Sequence, residues 1–181
     1  KEQGFSIDDK SANILTQYLG NDLSKINNEL SKLVLHLKKG EQITPKIIED
    51  NIGISKDFNV FELQNALGIK DVLKSNQIIK YFSENPKNHP FVLTLSSLFT
   101  FFQKVMIYQN LKDKSSKNAA SALGINPYFI SQFQTASRNY PMKKLFKIFT
   151  YLKEYDLKSK GVNNTSTADK ELLKELTFKI L

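Results

Sequence analysis

Apolar residues recur along this chain at spacings of three and four, the mark of helices that bury one face. Leu23, Ile26, Leu30, Leu33, Val34 and Leu37 share one face of a helix that Asn21 or Asp22 caps and Gly40 closes. Thr44-Pro45 reads as the cap and first position of a shorter helix carrying Ile47, Ile48 and Ile52 and ending at Gly53. The polar stretch ISKDFNV, residues 54–60, separates this first group from the rest. Phe58, Phe61, Leu63, Ala66 and Leu67 then open a helix that closes near Gly68. Asp71 caps the next, with Val72, Leu73, Ile78, Ile79 and Phe82 on its inner face. After the loop SENPKNHP, a long helix runs from about Phe91 to Leu111 and turns Leu95, Leu98, Phe99, Phe102, Val105 and Met106 inward.

The remaining third follows the same grammar. KDKSSKN is a basic linker, and AASALGI is a short helix with Gly124 near its end. Asn126-Pro127 restarts the chain, with Ile130 and Phe133 inward. Pro141 opens a helix carrying Leu145, Ile148, Phe149, Leu152 and Tyr155, which ends at Gly161. A last helix from near Thr167 carries Leu172, Leu173, Leu176 and Ile180. No stretch alternates apolar and polar as a strand would, and no fixed-period repeat is visible. The pattern predicts an all-α chain: a small helical domain over residues 1–56, then a larger helical bundle over 57–181.

Charge supports that division. The chain carries a net +8, yet residues 1–56 hold eight Lys and eight acidic residues and sum to zero. The whole excess lies in residues 57–181, which points to a polyanion or an acidic partner, or else to solvated lysines on helix backs. With 40% hydrophobic residues, among them 13 Phe and 7 Tyr, the chain can build one sizeable core or two small ones. Cysteine is absent, so disulfides, thiolate metal sites and cysteine catalysis are excluded. The most apolar run, FVLTLSSLFTFF, is about 12 residues against the roughly 20 that a bilayer requires. No apolar leader opens the chain, and the expectation is a cytoplasmic protein without a membrane segment.

Enzyme chemistry finds little support. Neither a phosphate loop, nor a dinucleotide-binding glycine motif, nor a zinc-binding His-Glu-x-x-His occurs. His36 and His89 have no partners at ligand spacing, so no metal site and no cofactor is expected. The pairs Asp8-Asp9 and Glu49-Asp50 point in different directions on a helix and form no catalytic dyad. No catalytic residue is assigned. What the chain does offer is interleaved basic and aromatic residues between 126 and 160. Lysines neutralise phosphates, and exposed rings stack on bases. Tyr128 follows a helix-opening proline and is either a stacking residue or a half-buried anchor of the bundle. Arg138 is the only arginine, which argues against bidentate reading of guanine and for sequence-independent backbone contact. Lys143, Lys144 and Lys147 lie on the first turns of one helix, and Lys158 and Lys160 at its end, where cations also suit the helix dipole.

Three stretches in order resemble one family. They are YLGNDLSKINNELSKLVLHL, then ITPKIIEDNIGISKDFNVFELQNALGIKD, then LGINPYFISQFQTASRNY followed by Leu152, Glu154, Asp156, Lys160 and Gly161 in the pattern L-x-E-x-D-x-x-x-K-G. The set is similar to the C-terminal part of the bacterial DNA polymerase III delta subunit, which belongs to the sliding-clamp loader. The resemblance implies a lid-type domain followed by a collar domain that joins loader subunits in a ring. It implies a non-catalytic accessory subunit of a DNA-directed DNA polymerase holoenzyme, acting where the sliding clamp is placed on primed DNA during replication. Its expected partners are other loader subunits, through the collar, and primed DNA. Clamp contact would fall to an N-terminal domain outside these residues. Tyr128, Arg138, Lys143, Lys144, Lys158 and Lys160 are then the candidates for DNA contact. The alternative is a free-standing helical nucleic-acid-binding module.

Overall fold

A computed structural model describes residues 4–8, 11, 12, 15, 23–51, 58–164 and 166–181 of the chain. The expected caps at Asn21 and Asp22, together with Ile52, Gly53 and most of the 54–60 stretch, lie outside the described residues. The chain divides into two compact units, Lys1–Asp57 and Phe58–Leu181.

In the first unit, α1 (Leu23–Leu35) and α2 (Pro45–Asn51) pack together. Leu15, Leu33, Ile43 and Ile48 form its core, with Leu30, Leu37 and Ile47 packed against it. The Thr44 hydroxyl accepts from the Ile47 N–H at 3.4 Å, so the Thr-Pro pair does open α2. Two findings depart from the apolar pattern. Leu23 is 80% exposed rather than inward. A short parallel pairing also joins β1 (Ser6–Ile7) to β2 (Gln42–Ile43), with Ser6 opposite Gln42. Two residues are too few to show an alternation.

The second unit contains α3 (Val60–Gly68), α4 (Val72–Glu84), α5 (Phe91–Asn110), α6 (Ser116–Leu123), a 3₁₀ turn (Pro127–Phe129), α7 (Ile130–Asn139), α8 (Met142–Ser159) and α9 (Asp169–Ile180). Helix α5 is central: it packs against α7 and α8 and carries α6, while α9 packs against both α4 and α8. Helix α5 is long and apolar enough to cross a membrane by length and composition. However, Phe91, Leu95, Leu98, Phe101, Phe102, Val105 and Tyr108 are buried in the bundle core, so its apolar character serves packing. Its inner face is broader than the spacing predicted. Phe101 and Tyr108 are buried, whereas Phe99 is exposed. Helix α4 starts as expected, the Asp71 carboxylate accepting from the Lys74 N–H at 2.9 Å, but Val72 and Leu73 in its first turn face solvent.

The helix ends explain several sequence signals. Asn59 caps α3 by accepting from the N–H groups of Phe61 and Glu62, and its own amide donates to Glu62 Oε1 at 3.1 Å. Gly68 allows close approach: a Cβ there would lie 3.2 Å from the Phe101 ring and 3.5 Å from Ala136. The helix then closes in a Schellman turn. The Asp71 N–H donates to the Ala66 carbonyl and the Lys70 N–H to Leu67. The left-handed position of that turn, usually glycine, is held by Lys70 at φ 58°. A side chain there costs about 1–2 kcal/mol. Gly161, at φ 86°, ends α8 in the same way, with the Val162 N–H on the Leu157 carbonyl and the Gly161 N–H on Lys158.

Candidate nucleic-acid interface

The site grows from the turn between α7 and α8. Tyr140 is fully buried there, and its hydroxyl donates to the Leu67 carbonyl at 2.7 Å. The Asn139 amide donates to the Gly68 carbonyl at 2.8 Å. Gln109 of α5 reaches the same turn and donates to the carbonyls of Ser137, at 2.8 Å, and Tyr140. These bonds pin the α7–α8 turn to the closing turn of α3. Burial pushes the Tyr140 hydroxyl well above its ordinary pKa, so it stays a neutral donor.

Cations gather around this junction. Lys70 stands on the strained turn with its Nζ 5.1 Å from the centroid of the Tyr140 ring, a cation–π contact. The half-buried Lys144 donates from Nζ to the Lys179 carbonyl at 3.1 Å, near the end of α9. Burial holds the Lys144 ammonium below its ordinary pKa, and the charges of Lys70 and Lys147 lower it further. Lys143 and Lys147 are exposed and lie one turn apart on α8, and Arg138 is exposed on the last turn of α7. Among the described residues none of these five cations has a carboxylate partner within ion-pair distance. Asp71, next to Lys70 in sequence, is committed to the α4 cap. Phe146 sits between Lys143 and Lys147 in sequence and is 60% exposed.

The six residues singled out from the sequence do not form one surface. Arg138 on one side and Lys143 and Lys144 on the other flank the α7–α8 turn. Tyr128 lies before the opposite end of α7, roughly 15 Å away by helix rise. It is 56% exposed, with its ring edge-on to Phe129 at 5.0 Å, so it is no buried anchor. Lys158 and Lys160 lie at the far end of α8, roughly 20–25 Å from Lys143 and Lys144. Both are paired: Lys158 with Glu154 at 2.8 Å and Lys160 with Asp156 at 2.6 Å. Lys158 also lies 4.6 Å from the Tyr155 ring centroid. The L-x-E-x-D-x-x-x-K-G pattern is thus a helix-closing device. Leu152 packs inward, the two acids hold two lysines, and Gly161 supplies the left-handed turn.

Lys70 escaped the sequence reading. Nothing local marks it, because its neighbours at the site come from residues 138–147. The one signal it carries is negative: at a helix end before the cap Asp71, a lysine stands where glycine is usual. Among the described residues no group of three or more His, Cys, Asp or Glu is placed to hold a metal ion.

Residues 57–179 match the family described as DNA polymerase III delta subunit, C-terminal domain. The fold is similar to that of the Bacillus subtilis DNA clamp loader delta protein (YqeN), with a TM-score of 0.67 and 22% sequence identity. That match covers 99% of this chain and 52% of the other, so the chain spans about half the length of that protein. No curated protein sequence matches this chain.

Proposed function

Because the chain belongs to the family of the C-terminal domain of the DNA polymerase III delta subunit, we propose that it serves a clamp loader as the collar-bearing part of such a protein. The observation that carries this reading is the family match over residues 57–179, which takes in the whole run of helices from α3 to near the end of α9. The fold shared with the Bacillus subtilis clamp loader protein supports it. In this reading the unit Phe58–Leu181 is the collar that joins other loader subunits, and Lys1–Asp57 belongs to the lid-type domain before it. The role is one of assembly and positioning rather than catalysis. ATP hydrolysis falls to partner subunits, and clamp contact to the part of a delta protein that these residues do not span. Arg138, Lys143 and Lys144 face primed DNA held by the assembled loader, with Tyr128 a separate stacking candidate. Such a protein works with the replication machinery in the cytoplasm.

The test is co-purification. A tagged parent protein containing these residues should bring down a loader ATPase and a sliding clamp in a stable complex. Recovery without either, from cells in which both are present, would sink the clamp-loader role. The free-standing nucleic-acid module would then be the reading to pursue.

A further inference from the structure

Lys70 presents an unresolved cost. Its backbone occupies the left-handed region, where glycine serves without strain, and its charge stands near the Lys144 ammonium, which Lys147 approaches as well. No carboxylate among the described residues lies within ion-pair distance of Lys70 or Lys144. Strain of this kind is retained where the surrounding structure imposes it, and it gathers at binding sites. Here the surroundings are specific. The Tyr140 hydroxyl and the Asn139 amide tie the closing turn of α3 to the start of α8 through the carbonyls of Leu67 and Gly68. The Tyr140 ring then lies beneath the Lys70 ammonium. Lys144 is fixed from the other side by the Lys179 carbonyl, which leaves two of its three N–H bonds free to donate. Lys147 follows one turn later on α8, with Lys143 one turn before it.

We propose that Lys70, Lys144 and Lys147, with Lys143 at the rim, form a preorganised site for the phosphate backbone of a nucleic-acid strand, and that Tyr140 positions Lys70 in it. An anion is the partner that such a cluster lacks. The point-charge character of lysine suits sequence-independent phosphate contact. A strand is favoured over an acidic protein because adjacent cations about one helical turn apart match a run of phosphates, and because Phe146 offers an exposed ring beside them for a base. The proposal rests on the reading that the collar faces nucleic acid, and it adds Lys70 and Lys147 to that surface.

The experiment is a salt titration of duplex and single-stranded DNA binding by the full 181-residue chain, starting at low ionic strength. Lys70→Gly should lower the slope of log K against log salt by about 0.9 on duplex and about 0.7 on a single strand. The same variant should melt a few degrees higher, because glycine relieves the left-handed strain. Lys70→Arg should keep the slope. Binding weaker while the fold is firmer is a combination that a purely structural lysine does not produce. An unchanged slope in Lys70→Gly overturns the site. So does an equal loss in the control Lys117→Ala on α6, since that means diffuse attraction. Failure of the unmodified chain to bind DNA even at low salt overturns both the site and the DNA-facing collar. Clamp-loader membership itself is read separately, by co-purification.

Discussion

At the scale of single residues, the chain separates side chains that hold the fold from those that remain available. Ser75 is fully buried in α4, and its hydroxyl has no hydrogen-bond partner among the described residues. An unpaired buried hydroxyl costs about 1–3 kcal/mol, so Ser75→Ala should raise stability by about 1 kcal/mol in chemical denaturation. A lower midpoint would mean that the hydroxyl has a partner after all. The lysines divide in the same manner. Lys158 and Lys160 are neutralised by Glu154 and Asp156, and Lys143 is not. Lys143→Ala should therefore reduce the salt slope of DNA binding by roughly one. Lys158→Ala and Lys160→Ala should change it little, and a larger loss from either of these would move the interface to the far end of α8.

Elements are decided mainly at their ends. Gly161 closes α8 at φ 86°, and a Cβ there would meet nothing within 4 Å. The cost of Gly161→Ala is then purely backbone strain, about 1 kcal/mol, seen as a lower denaturation midpoint with unchanged helix content. Gly68→Ala should instead act sterically, through the Phe101 ring 3.2 Å away. The link between α8 and α9 has a pH signature. The hydrogen bond from Lys158, aided by the charge of Lys179 and opposed by burial, holds the Glu154 carboxyl below its ordinary range. A carboxyl depressed in the folded state contributes stability above its unfolded pKa of about 4.3 and loses it as pH falls through the folded value. Glu154→Gln should flatten the acid side of the stability profile below about pH 4.3, by a small amount because the pair is partly exposed. An identical profile in the variant would show that the pair does not contribute.

At the scale of the whole molecule, each unit has its own apolar cluster. Among the described residues, twenty-eight buried ones, from Leu63 to Ile180, form the larger one, whereas Leu15, Leu33, Ile43 and Ile48 belong to the smaller. Residues 58–181 expressed alone should therefore fold, with a cooperative thermal transition and helical circular dichroism. The smaller unit, only 57 residues long, is of a size at which a single core is marginal and should be the less stable of the two alone. A non-cooperative transition in the 58–181 fragment would mean that its core depends on the first unit. Collar and phosphate site would then both need the longer chain.

Much of this was legible in the residues themselves. The helical class, the cap at Asp71, the opening at Thr44-Pro45 and the closing glycines at 124 and 161 rest on local backbone chemistry. Such chemistry is complete within a few positions, so the sequence alone determines it. The inner rows Ile78–Ile79–Phe82 and Leu145–Ile148–Leu152–Tyr155 were equally plain, because one-sided burial writes a period of 3.6. Only tertiary structure decided the rest. Helix α5 packs against neighbours on more than one side, so Phe101 and Tyr108 are buried where a single face would have chosen Phe99. Apolar residues in a first turn, such as Val72 and Leu73, extend beyond the reach of any neighbour and stay in water. The cation cluster is the strongest case. Lys70 meets the α7–α8 junction through a turn whose anchor, Tyr140 on Leu67, joins positions 73 apart in the chain. Like charges do not attract one another, so no local pattern brings them together. They converge because the buried faces of α3, α5 and α7 pack, and that packing carries the lysines with it.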